Sequence, residues 1–215
     1  FGVAGHFAEA SARAGYISIM FGNTPAAMPM VGGKKAIFGT NPIAASFPVS
    51  AKDPLVIDMS LSAVARGRIL VAAKKGESIP HGWALDASGQ PTTDAQEALQ
   101  GLMVPLGGDK GALLALVVEL LVVGLTGSRF SYEADSFFSA HGNRPQVGQL
   151  IITIKPDLAG KNIFNQRLAE FLAVLCLDSD IRLPGQRRFK QRSLAMKNGV
   201  EVSELLISEI QNSMK

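Results

Sequence analysis

Apolar residues recur along this chain with two different spacings. Tyr16-Ile17-Ser18-Ile19-Met20 alternates as a half-buried strand does, and Gln149 to Lys155 repeats the pattern. Ile43 to Phe47 and Leu55 to Ile57 are short strands, separated by the turn-like Ser50-Ala51-Lys52-Asp53-Pro54. Helical spacing takes over elsewhere. Ile163, Phe164, Leu168, Phe171, Leu172 and Leu175 predict a helix over 162–177 with a core-facing stripe, and Leu206 and Ile210 predict another over 203–212. Phe7 to Arg13 is Ala-rich and helical, with Gly15 as its stop. A helix is expected from about Leu61 to Ala73, with Ser60 as its N-cap. The longest apolar stretch, Ala112 to Leu125, follows Gly111 and is interrupted by Glu119. It is apolar on nearly all sides, which predicts burial in the core or against a second copy. It is too short to span a bilayer, which takes about 20 residues.

Between these elements lie polar or Pro- and Gly-rich segments. Asn23 to Lys35, Lys74 to Gln100 and Gly142 to Gly148 read as loops, the second holding a brief helix near Asp94 to Leu99. Strands and helices mix without a regular βαβ period, and no Gly-x-Gly-x-x-Gly follows a strand. The fold class is α/β in the α+β sense. The expected division is a core over 1–180 and a C-terminal segment over 181–215 whose helix packs back on it.

Composition narrows the classes. The 215 residues suit one domain, or one domain with a small appendage, and 47% hydrophobic with 18% charged residues describes a well-cored globular protein. A net charge of +3, from 21 basic and 18 acidic residues, is too balanced to suggest nucleic acid. Neither a targeting segment nor a membrane span is visible. The single cysteine, Cys176, sits in an apolar run and is expected to be a core thiol in a reducing compartment, the cytoplasm by default.

Several short blocks could carry chemistry. Asp58-Met59-Ser60 ends a strand, and at a helix start its free amides would attract an anion while Asp58 accepted from ribose hydroxyls; simple helix capping is the plainer alternative. Leu106-Gly107-Gly108-Asp109-Lys110-Gly111 is a Gly-rich turn with a cation, open either to a ligand or to solvent. It is not a Walker A motif. Gly39-Thr40-Asn41-Pro42 is a rigid turn that could hold fixed donors for a carboxylate, or merely precede a strand. Arg182, Arg187, Arg188, Lys190 and Arg192 cluster as a solvated basic helix start or as a phosphate site. The three histidines, His6, His81 and His141, have neither metal-site spacing nor a neighbouring nucleophile, so no catalytic residue is assigned.

In their order and spacing, Gly39 to Ala44, Ile57 to Ser60, Leu106 to Gly111 and Leu183 to Arg188 resemble the malate/L-lactate dehydrogenase family of NAD(P)-dependent oxidoreductases. The resemblance implies a non-Rossmann mixed, largely antiparallel sheet flanked by helices, and a homodimer. It implies hydride transfer between NAD or NADP and a small 2-oxo or 2-hydroxy acid, or in some members reduction of a cyclic imino acid. Phe1, Gly2, Val3, Ala4, Asp58, Met59, Ser60, Lys110, Gly185, Gln186, Arg187 and Arg188 would then hold the cofactor, and Thr40 and Arg66 would face the substrate. Imine-reducing members carry an acidic residue where Arg68 stands, so Val64-Ala65-Arg66-Gly67-Arg68 looks closer to the hydroxy-acid members, while the parts after Leu106 look equally like the imine reductases and leave the substrate open. In the family, the stretch beginning at Phe1 lies well inside the protein, after a His in the part that supplies the proton donor. The expectation is therefore a longer natural polypeptide, with negligible turnover of pyruvate or oxaloacetate by these 215 residues alone. An inert fragment is the contrasting reading.

Overall fold

The alternating run at Ile17 lies inside a four-stranded antiparallel sheet, and its two faces receive two different helices. A computed structural model describes residues 2–137, 142 and 144–213. Its elements are α1 (Ala4–Arg13), β1 (Ile17–Gly22), β2 (Met28–Pro29), β3 (Ala36–Phe38), β4 (Ile43–Phe47), β5 (Leu55–Met59), α2 (Arg66–Lys75), β6 (Ala84–Leu85), β7 (Pro91–Thr92), α3 (Ala95–Gln100), β8 (Leu102–Met103), α4 (Asp109–Thr126), β9 (Gln149–Ile154), α5 (Ile163–Leu175), α6 (Gln186–Asn198) and α7 (Glu204–Ser213). The main sheet runs β5-β4-β1-β9, beside a β2-β3 pair and a β7-β6-β8 sheet. Every strand pair among the described residues is antiparallel, where a mixed, largely antiparallel sheet was expected.

Period-two alternation decides what each face meets. Met20 and its partner Ala44 point to α1, where they pack with Ala4 and Ala8. On the same face the Ser18 hydroxyl lies 2.9 Å from that of Ser46, which donates to the Ala8 carbonyl at 2.6 Å. Small side chains let α1 lie close to the sheet. Phe21, Ile43 and Leu150 point the other way, onto Val118 and Val122 of α4. The same core continues through Ile69, Ala72 and Ala73 of α2 to Ala95 and Ala98 of α3.

Several expectations need correction. Helix α2 starts at Arg66 with Ala65 as N-cap, not at Leu61 behind Ser60. The reason is competition: Leu61 donates to the Thr40 carbonyl and Ala63 to that of Val104, each at 2.8 Å, while Ser62 donates its hydroxyl to the Val64 carbonyl. Backbone committed to those partners cannot turn helical. The supposed loops contain β2, β6 and β7. The stripe of α5 is not in the core: none of its residues is buried, and Phe171 is exposed. Leu206 and Ile210 of α7 are likewise exposed. Cys176, expected in the core, is exposed because it closes that same uncovered helix.

Helix α4 is buried on one face only. Gly111, Ala112, Ala115, Val118, Val122 and Val123 face inward, whereas Leu113, Val117, Leu120 and Leu125 are exposed. No helix among the described residues is long and apolar enough to cross a membrane.

Candidate functional site

Three of the sequence blocks meet through their backbones. The Thr40 carbonyl accepts from Leu61 at 2.8 Å, and the Leu61 carbonyl accepts from Leu106 at 2.8 Å. A bridge between Ser62 and Pro105 closes the seam. The Gly39 turn, the segment after Asp58 and the Gly107-Gly108 turn therefore lie side by side. Gly39 is required by this packing, since an added Cβ would run into Thr24 and lie 2.7 Å from Asn41 Oδ1. Gly107 and Gly108 have φ of +66° and +68° with open space around them, so backbone is presented outward at the start of α4. Lys110 stands there exposed, with no ion-pair partner among the described residues.

The remaining block arrives along the free edge of β5. Val56 N–H donates to the Pro184 carbonyl at 3.3 Å, which lays the Gly185 turn against that strand. Gly185 opens α6 with φ +94°, and Gln186 folds back so that its Oε1 accepts from Leu183 N–H at 3.1 Å. Arg187 points to solvent. Its neighbour Arg188 instead reaches Asp58, with Nη2 3.6 Å from Oδ2. That oxygen also accepts the Gly5 N–H at 2.9 Å, in the first turn of α1. Asp58 thus serves the N-terminus of α1, not that of a helix following its own strand. Gly5 has no side chain because the Arg188 guanidinium and Asp58 occupy the space a Cβ would need. Nη1 of Arg188 is buried and unpartnered among the described residues, and nothing there donates to Asp58 Oδ1. The N-cap of α1, Val3, offers no side-chain cap, and Gly2 lies in open space at φ +61°. A helix N-terminus, a cation with a spare donor and a carboxylate with a spare oxygen therefore converge.

Asp58, near the end of β5, is three residues from Leu61, roughly 10 Å of extended chain. The polar groups at the start of α1 and the seam of turns are therefore neighbours. Not every candidate points toward them. The Ser60 hydroxyl lies 3.0 Å from that of Ser62, and Met59 is partly exposed at the strand end. Arg66 is half-buried with Nη2 donating to the Leu99 carbonyl at 3.2 Å; burial lowers the pKa of its guanidinium. Asn41, expected beside Thr40 as a donor to substrate, points inward and is fully buried. Thr40 is half-buried, its hydroxyl 3.4 Å from that of Thr24. Phe1 and His141 lie outside the described residues, whereas His6 and His81 are both exposed.

Sequence reasoning missed two hubs. Glu9 in α1 is buried and is held by Arg192 and Arg13; the bidentate Arg192 contact, with Arg13 adding and burial opposing, brings its pKa down to about 2. The Phe189 ring lies under both guanidinium groups, 5.5 Å from Arg13 and 5.8 Å from Arg192. The second hub is Glu119, the one charge within the apolar run Ala112 to Leu125, whose isolation was the available signal.

Residues 1–211 match the family model described as malate/L-lactate dehydrogenase. The chain belongs to this family. A (2R)-3-sulfolactate dehydrogenase (NADP+) of Chromohalobacter salexigens is 47% identical over 98% of the chain and 62% of its own length. A Δ1-pyrroline-2-carboxylate/Δ1-piperideine-2-carboxylate reductase of Pseudomonas putida is 40% identical over 91% of the chain and 58% of its own length. Among solved structures, the Δ1-piperideine-2-carboxylate reductase of Pseudomonas syringae pv. tomato superposes with a TM-score of 0.90 at 35% identity, covering 99% of this chain and 64% of that one. The chain therefore spans about three fifths of the length of the malate/L-lactate dehydrogenase relatives it matches.

Proposed function

We propose that this chain forms the cofactor-binding part of an NAD(P)-dependent oxidoreductase acting on a small 2-oxo or 2-hydroxy acid. The observation that carries this reading is the convergence of Gly5, Asp58 and Arg188 at the start of α1, next to the seam of Thr40, Leu61 and Leu106. A dinucleotide fits the donor set. Its pyrophosphate suits the α1 N-terminus with Gly2, Val3 and Ala4 and the accessible side of the Arg188 guanidinium, and its ribose hydroxyls suit the spare oxygen of Asp58. Met59, Ser60, Gly185, Gln186 and Arg187 complete the proposed rim, with Lys110 at the mouth of α4. When bound, the cofactor supplies the hydride. Thr40 is assigned to the substrate carboxylate, and Arg66 joins it only by turning its guanidinium from the Leu99 carbonyl. No proton donor is assigned to His6 or His81.

The sulfolactate dehydrogenase is the relative of higher identity, which favours a 2-hydroxy acid. Reduction of a cyclic imino acid is kept as the second reading because of the close superposition on the piperideine-2-carboxylate reductase. Fluorescence titration of the chain with NADPH and NADH tests the first step, and saturable binding by either supports the site. Assaying the protein at the relatives' full length with sulfopyruvate, oxaloacetate and piperideine-2-carboxylate then separates the substrates. Failure to bind either nucleotide would end the proposal.

We further propose a homodimer. The exposed face of α4 places Leu113, Val117, Leu120 and Gly124 at spacings of four, three and four, the repeat by which helices pair. No charged residue interrupts it, and Gly124 leaves room for close approach.

A further inference from the structure

Glu119 sits in the inward face of α4, 3% exposed. No cation pairs with it among the described residues. Neutral donors surround it instead: Asn41 Nδ2 and Ser131 Oγ each donate to Oε2 at 2.7 Å, and Ser131 N–H donates to Oε1 at 2.5 Å. Both oxygens are acceptors, so a glutamine here would set its NH2 against a donor whichever way it turned. In a dry interior that conflict is costly, and the donors are correspondingly fixed.

Asn41 carries this constraint to the neighbouring turn. It is fully buried at φ +29°, a conformation uncommon without glycine. Its amide also donates to the Ala115 carbonyl at 3.2 Å, and its Oδ1 accepts from Thr24 N–H at 3.3 Å. Thr24 in turn receives the Thr40 N–H on its hydroxyl at 2.9 Å. Thr40 is thus flanked by one residue pinned to Glu119 and attached to another that Asn41 holds.

We propose that Glu119 is a positioning residue: through Asn41 it fixes the 39–42 turn and hence the direction in which Thr40 presents its hydroxyl to the substrate carboxylate. This rests on the substrate-facing reading of Thr40 given above. The test compares Glu119→Gln with the reversed pair Glu119→Gln/Asn41→Asp, in which donor and acceptor exchange places. Two readouts are taken: the Thr40 methyl resonance of the ligand-free chain, and the affinity for oxamate, a 2-oxo acid analogue, with NADPH present. Glu119→Gln is expected to move the methyl resonance and weaken oxamate about 10-fold, while NADPH affinity stays within about 2-fold. The reversed pair restores the contact between positions 119 and 41 but sets a carboxylate oxygen against the Ala115 carbonyl, so both readouts return only part of the way toward the parent. An unmoved resonance, or equal losses of oxamate and NADPH, overturns the proposal. If Glu119→Gln does not fold, Glu119→Asp, one methylene short of Asn41, is read by the same criteria. Should the parent bind no oxamate while the resonance moves and reverts, the positioning stands and the substrate reading of Thr40 falls.

Discussion

Arg192 grips Glu9 with two guanidinium nitrogens, each 2.8 Å from a carboxylate oxygen, across 183 residues of chain. This pair fastens α6, and with it the turn bearing Arg188, to the helix whose N-terminus Arg188 faces. A fork-to-carboxylate contact is both strong and directional. The site at α1 is therefore held in register by an ion pair on the same two helices.

The first prediction is acid lability. The Glu9 pKa is lowered from 4.5 to about 2, so its stabilisation is fully present above about pH 4.5 and is lost as pH falls toward 2. The contribution is on the order of 3 kcal/mol. Glu9→Gln should lower Tm at pH 7 and flatten the decline between pH 4.5 and 2 seen by circular dichroism. A parallel decline in parent and variant would refute the linkage.

Arg188→Ala should weaken NADPH binding about 10- to 100-fold, the usual cost of losing a charge-assisted contact to phosphate. Fluorescence titration measures it, with Lys197→Ala, in the last turn of α6, as a control for lost positive charge. Equal affinity in the parent and Arg188→Ala would remove Arg188 from the site.

Gly39→Ala is expected to cost about 1–3 kcal/mol, because the new methyl meets the Thr24 backbone, which cannot swing aside. In a chain of this size that lowers Tm by roughly 3–10 °C in calorimetry. An unchanged Tm would mean the turn relaxes freely, and the account of why glycine stands there would be wrong.

Leu120→Lys and Val117→Lys place charge on the uncovered face of α4. If that face pairs with a second copy and buries more than about 1,000 Å², either change should turn a dimer into a monomer in light scattering. A parent already monomeric at micromolar concentration would rule out this interface.

The sequence exposed some features and concealed others for identifiable reasons. β1 and β4 were legible because each alternates over five or more positions with one face buried, whereas β9 showed as a short apolar, β-branched run although none of its residues is buried. Periodicity reports amphipathicity but not what covers the apolar side, so α5 and Cys176 were wrongly placed inside. The Ser60 cap failed because pairing with Thr40 and Val104, residues distant in sequence, overrode a local signal. At the site, glycine and proline marked the turns, whereas the choice between Arg187 and Arg188 depended on the phase of α6 against β5. Asn41 and Glu119 found each other across 78 residues, a pairing no local pattern encodes.

The two rims of the main sheet are treated differently. Along β5 the Pro184 carbonyl takes up the Val56 N–H, whereas no hydrogen bond among the described residues reaches the outer side of β9. The run Gln149-Leu150-Ile151-Ile152-Thr153-Ile154 is uncharged, rich in β-branched residues and free of proline, and Ile151 and Ile152 are both exposed. Such a hexapeptide with an open rim is a template for other strands. Lys155, paired with Asp157 at 3.4 Å, is the first charge after it and acts as a gatekeeper against stacking. Neutralising Lys155 should therefore promote fibrillar assembly, read by thioflavin fluorescence, before it lowers Tm.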